Sequence, residues 1–316
     1  MISKRRSFIV GIKGIKLSPK EITFLKKYRP WGIILFSRNI KSFNQTKNLT
    51  LSIKKIFKDK NYPILIDQEG GNVSRIEKLI TARAFSGYYF GSSYLNDKKN
   101  ISNLINVYVD QLSYLLKEIG ININTAPVLD IRRNFTNKVL FDRSFSNNKK
   151  LVKKIGTLFI EKFHKNKILT VMKHIPGHGL ATNDSHFLTP VVTKKLSYLN
   201  KNDFFPFKKQ KCLFAMTAHI IFKSIDPNLT VTHSKKIIKI IRKKIGFKNI
   251  IISDDLSMKA LKFSLVENTK KAFSAGCNIV LHCNGKISEM KEVAINSPKL
   301  NGFLMKKTLE FYKTVN

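Results

Sequence analysis

Eight short runs of β-branched and aromatic residues, separated by segments with helical periodicity, extend through the whole chain and constrain its fold more than any other feature. They are SFIVGI near residue 8, WGIILF at 31, YPILID at 62, ININTAP at 121, KILTVMK at 167, CLFAMTAH at 212, NIIISDD at 249 and CNIVLHC at 277. Strands that alternate with helices predict a parallel sheet with crossover helices, and eight of them fit a closed barrel. Between two runs, Ile101, Leu104, Ile105, Tyr108, Leu112, Leu115 and Ile119 recur at three and four residues, and Gly120 stops that helix. Ser234 is a suitable cap for a helix carrying Ile237, Ile238, Ile241 and Ile245, ended by Gly246. The chain has 316 residues, 43% of them apolar, enough for a large core, and no linker or internal repeat divides it. The fold expected is α/β, a single-domain (β/α)8 barrel of the TIM type over residues 1–316.

Barrel enzymes carry their catalytic groups at the carboxyl ends of the strands, which turns the placement of polar residues into a test. Asp67, Asp130, Lys173 with His174, His219 and Asp254 each come at the end of an apolar run. Any one of them alone reads equally well as a solvated loop residue or a helix cap. Five such placements together point to one shared site. The densest stretch is VMKHIPGHGLATNDSHFLTP, residues 171–190, where three histidines, a lysine and an aspartate share a glycine-punctuated loop after a buried-looking strand. Polar groups so closely spaced must meet water or a ligand, and the glycines suggest a loop able to move.

Two groups in this pattern suit proton transfer and nucleophilic attack. Asp184 lies two residues before His186, close enough to fix its tautomer and raise the basicity of the other ring nitrogen, leaving an imidazole that gives and takes a proton near neutral pH. As a purely structural pair they would be a turn cap beside an exposed imidazole. Asp254 stands where a strand meets the central pocket, with Asp255 expected on the opposite face of the extended chain. A carboxylate there can attack an anomeric carbon and form a glycosyl ester. The structural alternative makes Asp254 and Asp255 a helix N-terminus, with Ser253 as a further cap. His174, His178, His186 and His219 could also serve as metal ligands with Asp67 or Asp254. Their spacing shows no HxH or HExxH pattern, and Lys173 would set a positive charge beside the cation, so no metal is expected.

The formal net charge of +38 raises the question of nucleic acid. Arginine supplies only 10 of the 58 basic residues, and the lysines are spread along the chain, so most of this charge is assigned to solvated helix faces and no specific nucleic-acid partner is expected. Cys212, Cys277 and Cys283, odd in number and set in or beside apolar strands, read as reduced thiols in a cytoplasmic protein. The apolar run of MISKRRSFIVGI is too brief for a signal peptide and reads as the first strand, and no window approaches a membrane span.

WGIILFSRNI, DQEGGNVSRI, APVLDI, DRSFS, KHIPGHG, DSH, AMTAHIIFKSIDPNLTVTHS, ISDDLSMKAL and AGCNIVLHCN resemble, in this order and over nearly the whole chain, the family 3 glycoside hydrolases, specifically their bacterial cytoplasmic β-N-acetylglucosaminidase branch. The most specific part is KHIPGHG followed by DSH and then SDDLSM. The resemblance implies that Asp254 is the catalytic nucleophile, His186 the proton donor and Asp184 its orienting aspartate. It implies that Asp67, Arg75, Arg143, Lys173 and His174 hold the N-acetylglucosamine ring. It further implies retaining hydrolysis without a cofactor, a β-1,4-linked anhydro-muropeptide disaccharide as the substrate, and a place in peptidoglycan recycling. The expected form is a cytoplasmic monomer without a membrane partner. A β-glucosidase on the same barrel, a metal-dependent hydrolase and a basic binding protein without catalysis are the rival expectations.

Overall fold

The structure, a computed structural model, describes residues 2–134, 138–183, 185 and 188–316, with the backbone alone described at Lys138 and Val139. Ten strands are formed among the described residues: β1 (Arg6–Gly11), β2 (Pro30–Leu35), β3 (Ile64–Ile66), β4 (Ile123–Asn124), β5 (Leu169–Ile175), β6 (Val191–Val192), β7 (Phe214–Thr217), β8 (Ile221–Phe222), β9 (Ile250–Asp255) and β10 (Ile279–His282). Eight of them close into a parallel barrel in the order β1-β10-β9-β7-β5-β4-β3-β2. These are the eight runs expected, and the chain has the predicted (β/α)8 architecture. β6 and β8 form an additional parallel pair outside the barrel. At two residues each, they are too short to show a period in the sequence.

Residues of the barrel strands alternate between two apolar layers, as the pleat requires. Phe8, Val10, Ile33, Ile64, Ile66, Met172, Ala215, Ile251 and Val280 belong to the outer layer shared with the helices. Ile9, Ile34, Leu65, Ile123, Leu169, Val171, Phe214, Met216, Ile250, Ile252, Ile279 and Leu281 fill the barrel. The helix Gly302–Val315 closes the amino end. Its Leu304 and Phe311 join the inner layer, Phe311 meets Trp31 edge-on at 6.0 Å, and Trp31 Nε1–H donates to Thr308 Oγ1 at 2.9 Å. An indole buried completely must find an acceptor, and this helix supplies it.

The helices follow the expected signals. Lys98–Glu118 is helical and buries Ile105, Leu112 and Leu116. Ser234 Oγ accepts from the Ile237 N–H, as a cap should. That segment departs from expectation in pitch: Lys235–Ile240 is α-helical, Ile241–Ile245 widens to a π-helix, and Gly246 ends it at φ 81°. Arg242, in the widened turn, donates to the carbonyls of Phe247 and Asn249. Among the described residues no helix is long and apolar enough to cross a membrane, and all three cysteines are free thiols.

Candidate active site

The inward phase of the barrel strands leads directly to the site. Leu65 continues two residues on to Asp67, Ile123 to Thr125, Val171 to Lys173, Ile252 to Asp254, Leu281 to Cys283 and Ile34 to Phe36. All six of those end points line one cavity of about 200 Å³ at the carboxyl end of the barrel. The apolar filling gives way to polar groups within a single step of the pleat. Arg75, Arg143, His174, His178, Asn183, Ser185 and Asp255 complete the polar lining. His174 and Asp255 belong to the opposite phase. Each lies beside a register shift, between Lys173 and Ile175 against β7, and between Ile279 and Leu281 of β10 against β9. Asp255 therefore shares the cavity with Asp254, contrary to the expectation that it faces away.

A dense set of ion pairs forms one wall. Lys173 Nζ binds the Asp67 carboxylate and lies 2.5 Å from Glu69 Oε1. Arg143 grips Glu69 with two nitrogens, at 2.6 and 2.9 Å, and Arg75 Nη2 donates to Asp67 Oδ2 at 2.7 Å. Thr125 Oγ1–H donates to Asp67 Oδ1 at 2.7 Å. Burial alone would raise the pKa of these carboxyls toward neutrality. The Lys173 and Arg75 charges override it at Asp67, and Arg143 and Lys173 do so at Glu69, holding both below the usual carboxylate range. The same attraction keeps the buried Lys173 and Arg143 protonated, above their ordinary values despite desolvation.

Asp130 organises the adjoining wall. Its fully buried carboxylate accepts from His174 Nδ1–H at 2.7 Å and from the His178 backbone N–H at 2.7 Å, with the His174 N–H at 3.3 Å. His174 Nε2 is thereby directed to Arg143 Nη2, 3.4 Å away. Burial pushes His178 down to about 4, with the neighbouring His174 acting in the same direction, so it is neutral at physiological pH. Asp130 stands six residues beyond β4, later than expected, because the chain first passes through the Thr125–Ala126–Pro127 segment. The glycines after β5 have a packing role. A Cβ on Gly179 would sit 1.9 Å from the Ile131 carbonyl oxygen, and Gly177 holds φ at 136°. Residues 171–181 are buried throughout, so these glycines permit close approach where mobility was expected.

Asp254 faces the cavity that Asp67 and Lys173 line. Its Oδ1 accepts from the Asp255 backbone N–H at 2.8 Å. Burial would raise its pKa, but His219, His174, the Asp255 N–H and Lys173 outweigh that and hold it below the ordinary value. It is thus a half-buried anion beside an open space. No helix begins here. Asp255 instead caps a turn, accepting from the Ser257 N–H and hydroxyl, and Ser253 Oγ accepts from the Leu281 N–H, which ties β9 to β10. Asp184 and His186 lie outside the described residues. Their described neighbours Asn183 and Ser185 both line the cavity, and the Ser185 carbonyl accepts from the Ala260 N–H at 3.2 Å. Among the described residues no group of three or more His, Cys, Asp or Glu is arranged to hold a metal.

The structure brings together Asp67, Arg75, Arg143, Lys173, His174 and Asp254. Sequence reasoning left Glu69, Thr125, Phe36 and Cys283 unassigned. The two-residue step beyond each inward apolar side chain would have found the last three. Glu69 comes from the turn that follows β3 and stands behind the lining, against Lys173 and Arg143.

Residues 8–305 match the family model described as the glycosyl hydrolase family 3 N terminal domain. The chain is 31% identical over 288 residues to a protein named beta-hexosaminidase from Haemophilus influenzae, covering 88% of this chain and 79% of that one. It is 32% identical over 289 residues to a beta-hexosaminidase from Shewanella frigidimarina, covering 88% and 82%. Among solved structures, NagZ from Neisseria gonorrhoeae in complex with N-trifluoroacetyl-D-glucosamine superposes with a TM-score of 0.82 at 26% identity, covering 99% of this chain and 96% of that one. A glycoside hydrolase family 3 beta-N-acetylglucosaminidase from Paenibacillus sp. gives 0.87 at 25% identity, and this chain spans 61% of that longer protein. With the barrel, the cavity and these matches in agreement, the chain belongs to glycosyl hydrolase family 3.

Proposed function

We propose that the protein is a retaining exo-β-N-acetylglucosaminidase that removes terminal N-acetylglucosamine from β-1,4-linked anhydro-muropeptides, as a cytoplasmic monomer serving peptidoglycan recycling. The observation that carries this reading is the placement of one anionic carboxylate, Asp254, across a sugar-sized cavity from the Asp67, Lys173, Glu69 and Arg143 wall. Relatives named beta-hexosaminidase support the sugar class, and the barrel shared with a protein crystallised with an N-acylated glucosamine agrees with it.

In the first step Asp254 attacks the anomeric carbon while protonated His186 donates to the departing glycosidic oxygen. In the second, His186 takes a proton from the water that cleaves the Asp254 ester, and Asp184 holds its ring in place throughout. A histidine takes the position of the second carboxylate found in most retaining enzymes. Asp67 accepts from sugar hydroxyls, and Lys173, Arg143, Arg75 and His174 donate to sugar oxygens. No metal takes part, so a chelator should leave turnover unchanged.

The test is hydrolysis of a chromogenic β-N-acetylglucosaminide. Asp254→Asn should lower kcat by at least about 10⁴-fold, as loss of a covalent nucleophile does elsewhere, and His186→Ala should lower it by at least about 10²-fold. Wild-type rates in either variant would refute the roles of nucleophile and proton donor. Faster turnover of the matching glucoside would reassign the sugar.

A further inference from the structure

His219 stands in the AMTAH run, is buried, and has no part in either step of the proposed hydrolysis. Its hydrogen bonds nevertheless lead to the proposed nucleophile. His219 Nε2 lies 3.0 Å from the Asp255 carbonyl oxygen, and its Nδ1 lies 2.8 Å from Thr232 Oγ1. Thr232 Oγ1 is in turn 2.8 Å from Thr217 Oγ1. All three side chains are at most 1% exposed, so water does not compete for these bonds.

Bonding rules and the charge state of the ring together set the directions in this chain. A carbonyl oxygen only accepts, so Nε2 carries a proton. Burial lowers the basicity of His219, more than its attraction to Asp254 and Asp255 raises it. The neutral ring that results has a bare Nδ1, which must accept from the Thr232 hydroxyl. A Thr232 hydroxyl turned instead to Thr217 Oγ1, or to the Ala218 carbonyl 3.5 Å away, would leave that buried nitrogen without a donor. Thr232 Oγ1 then accepts from the Thr217 hydroxyl. The order runs one way: Thr217 to Thr232, Thr232 to His219, His219 to the Asp255 carbonyl. The same Asp255 gives its N–H to Asp254 Oδ1. Asp255 is also fixed from β10, its Oδ1 accepting from the Cys283 N–H at 3.2 Å.

We infer that His219 is a positioning residue, a neutral imidazole that pins the Asp255 backbone so that the Asp255 N–H holds the Asp254 carboxylate at the attacking angle. This rests on Asp254 being the nucleophile. A proton added to His219 would make Nδ1 a donor and reverse the threonine bonds. The ionisable groups facing the ring are Asp254, Asp255, His174 and His233. The two carboxylates favour that proton and the two imidazoles oppose it.

Four measurements test the inference. In protein labelled with ¹⁵N-histidine, the resonances lost in His219→Gln should report a protonated Nε2 and a bare Nδ1, unchanged between about pH 7 and about pH 8, above the ordinary histidine range that burial lowers here. His219→Leu should lower kcat/KM on the N-acetylglucosaminide by about 100-fold, the scale on which groups that orient a reacting ligand act. His219→Gln, which offers a donor and an acceptor at similar reach, should recover to within about 10-fold of wild type, and Thr232→Val should lose about 10-fold. In each variant the inhibition constant for free N-acetylglucosamine should stay within about 2-fold, because the wall at Asp67 and Lys173 is untouched. If His219→Leu does not fold, Thr232→Val and the tautomer still decide. An Nδ1–H tautomer, an imidazolium in that pH window, wild-type kcat/KM in the Leu or Val variant, or parallel loss of sugar affinity would overturn the inference. Full activity in Asp254→Asn would instead sink the functional reading on which it rests.

Discussion

The two ends of the barrel are both buried, and they are built from opposite chemistry. At the amino end Trp31, Phe214, Phe311 and Leu304 close the floor, with the Trp31–Thr308 bond as the polar contact of the indole. At the carboxyl end the barrel strands β3, β4, β5 and β9 lead to Asp67, Thr125, Lys173 and Asp254. Apolar burial at the floor stabilises the fold directly, by roughly 25 cal/mol per Å² removed from water. Buried ion pairs at the mouth gain little or nothing over apolar packing of similar shape, because desolvation offsets the attraction. Stability therefore resides at the floor, while the mouth holds charge ready for a polar ligand.

That division can be broken from either end. The largest expected effect is at the mouth: Lys173→Met should reduce kcat/KM on the N-acetylglucosaminide by about 10³-fold or more and should also destabilise the fold, since it leaves Asp67 and Glu69 facing each other without their shared cation, a loss of about 3 to 5 kcal/mol by denaturant titration. Unimpaired stability would mean that the two carboxyls take up a proton readily once the cation is gone. At the floor, Phe311→Ala should cost about 3 to 5 kcal/mol of stability while the folded fraction keeps its kcat within about 2-fold. A matching fall in kcat would show that the ends are coupled.

A smaller effect concerns acid. Burial is the main cause that lowers His164, His178 and His233 from 6.5 to about 4. A histidine depressed in the folded state binds its proton more readily when unfolded. The stability it contributes is complete above about pH 6.5 and is lost as pH falls through about 4. Tm should therefore decline progressively from about pH 7 to about pH 4, before most carboxylates titrate. A Tm flat over that interval would contradict the burial of these imidazoles.

Much of the barrel is legible in the sequence because period-two alternation and helix caps are local signals. The eight apolar runs are the eight barrel strands, and Ser234 and Gly246 bound their helix as expected. The site is legible in part. Asp67, Lys173 and Asp254 continue the inward phase of their strands, and the structure sets them in one cavity with Arg75, Arg143 and His174. What stays hidden depends on register and long-range pairing. Asp255 joins the cavity beside a shift between β9 and β10, Glu69 pairs with Lys173 and Arg143 from a turn, and β6 and β8 are too short to carry a period. The glycines of KHIPGHG suggest movement when only the loop is in view, although the constraint at Gly179 is the Ile131 carbonyl, 48 residues away in the chain.

Trp31 is the sole tryptophan of the sequence, and it stands at the sealed floor between Phe214 and Phe311, with the inward side chains of the barrel separating it from the cavity. Nature has thereby installed a fluorophore that watches the scaffold and is blind to the chemistry. Its emission will redden when the strands part and expose the indole to solvent, yet a saccharide entering the opposite end gives it nothing to report.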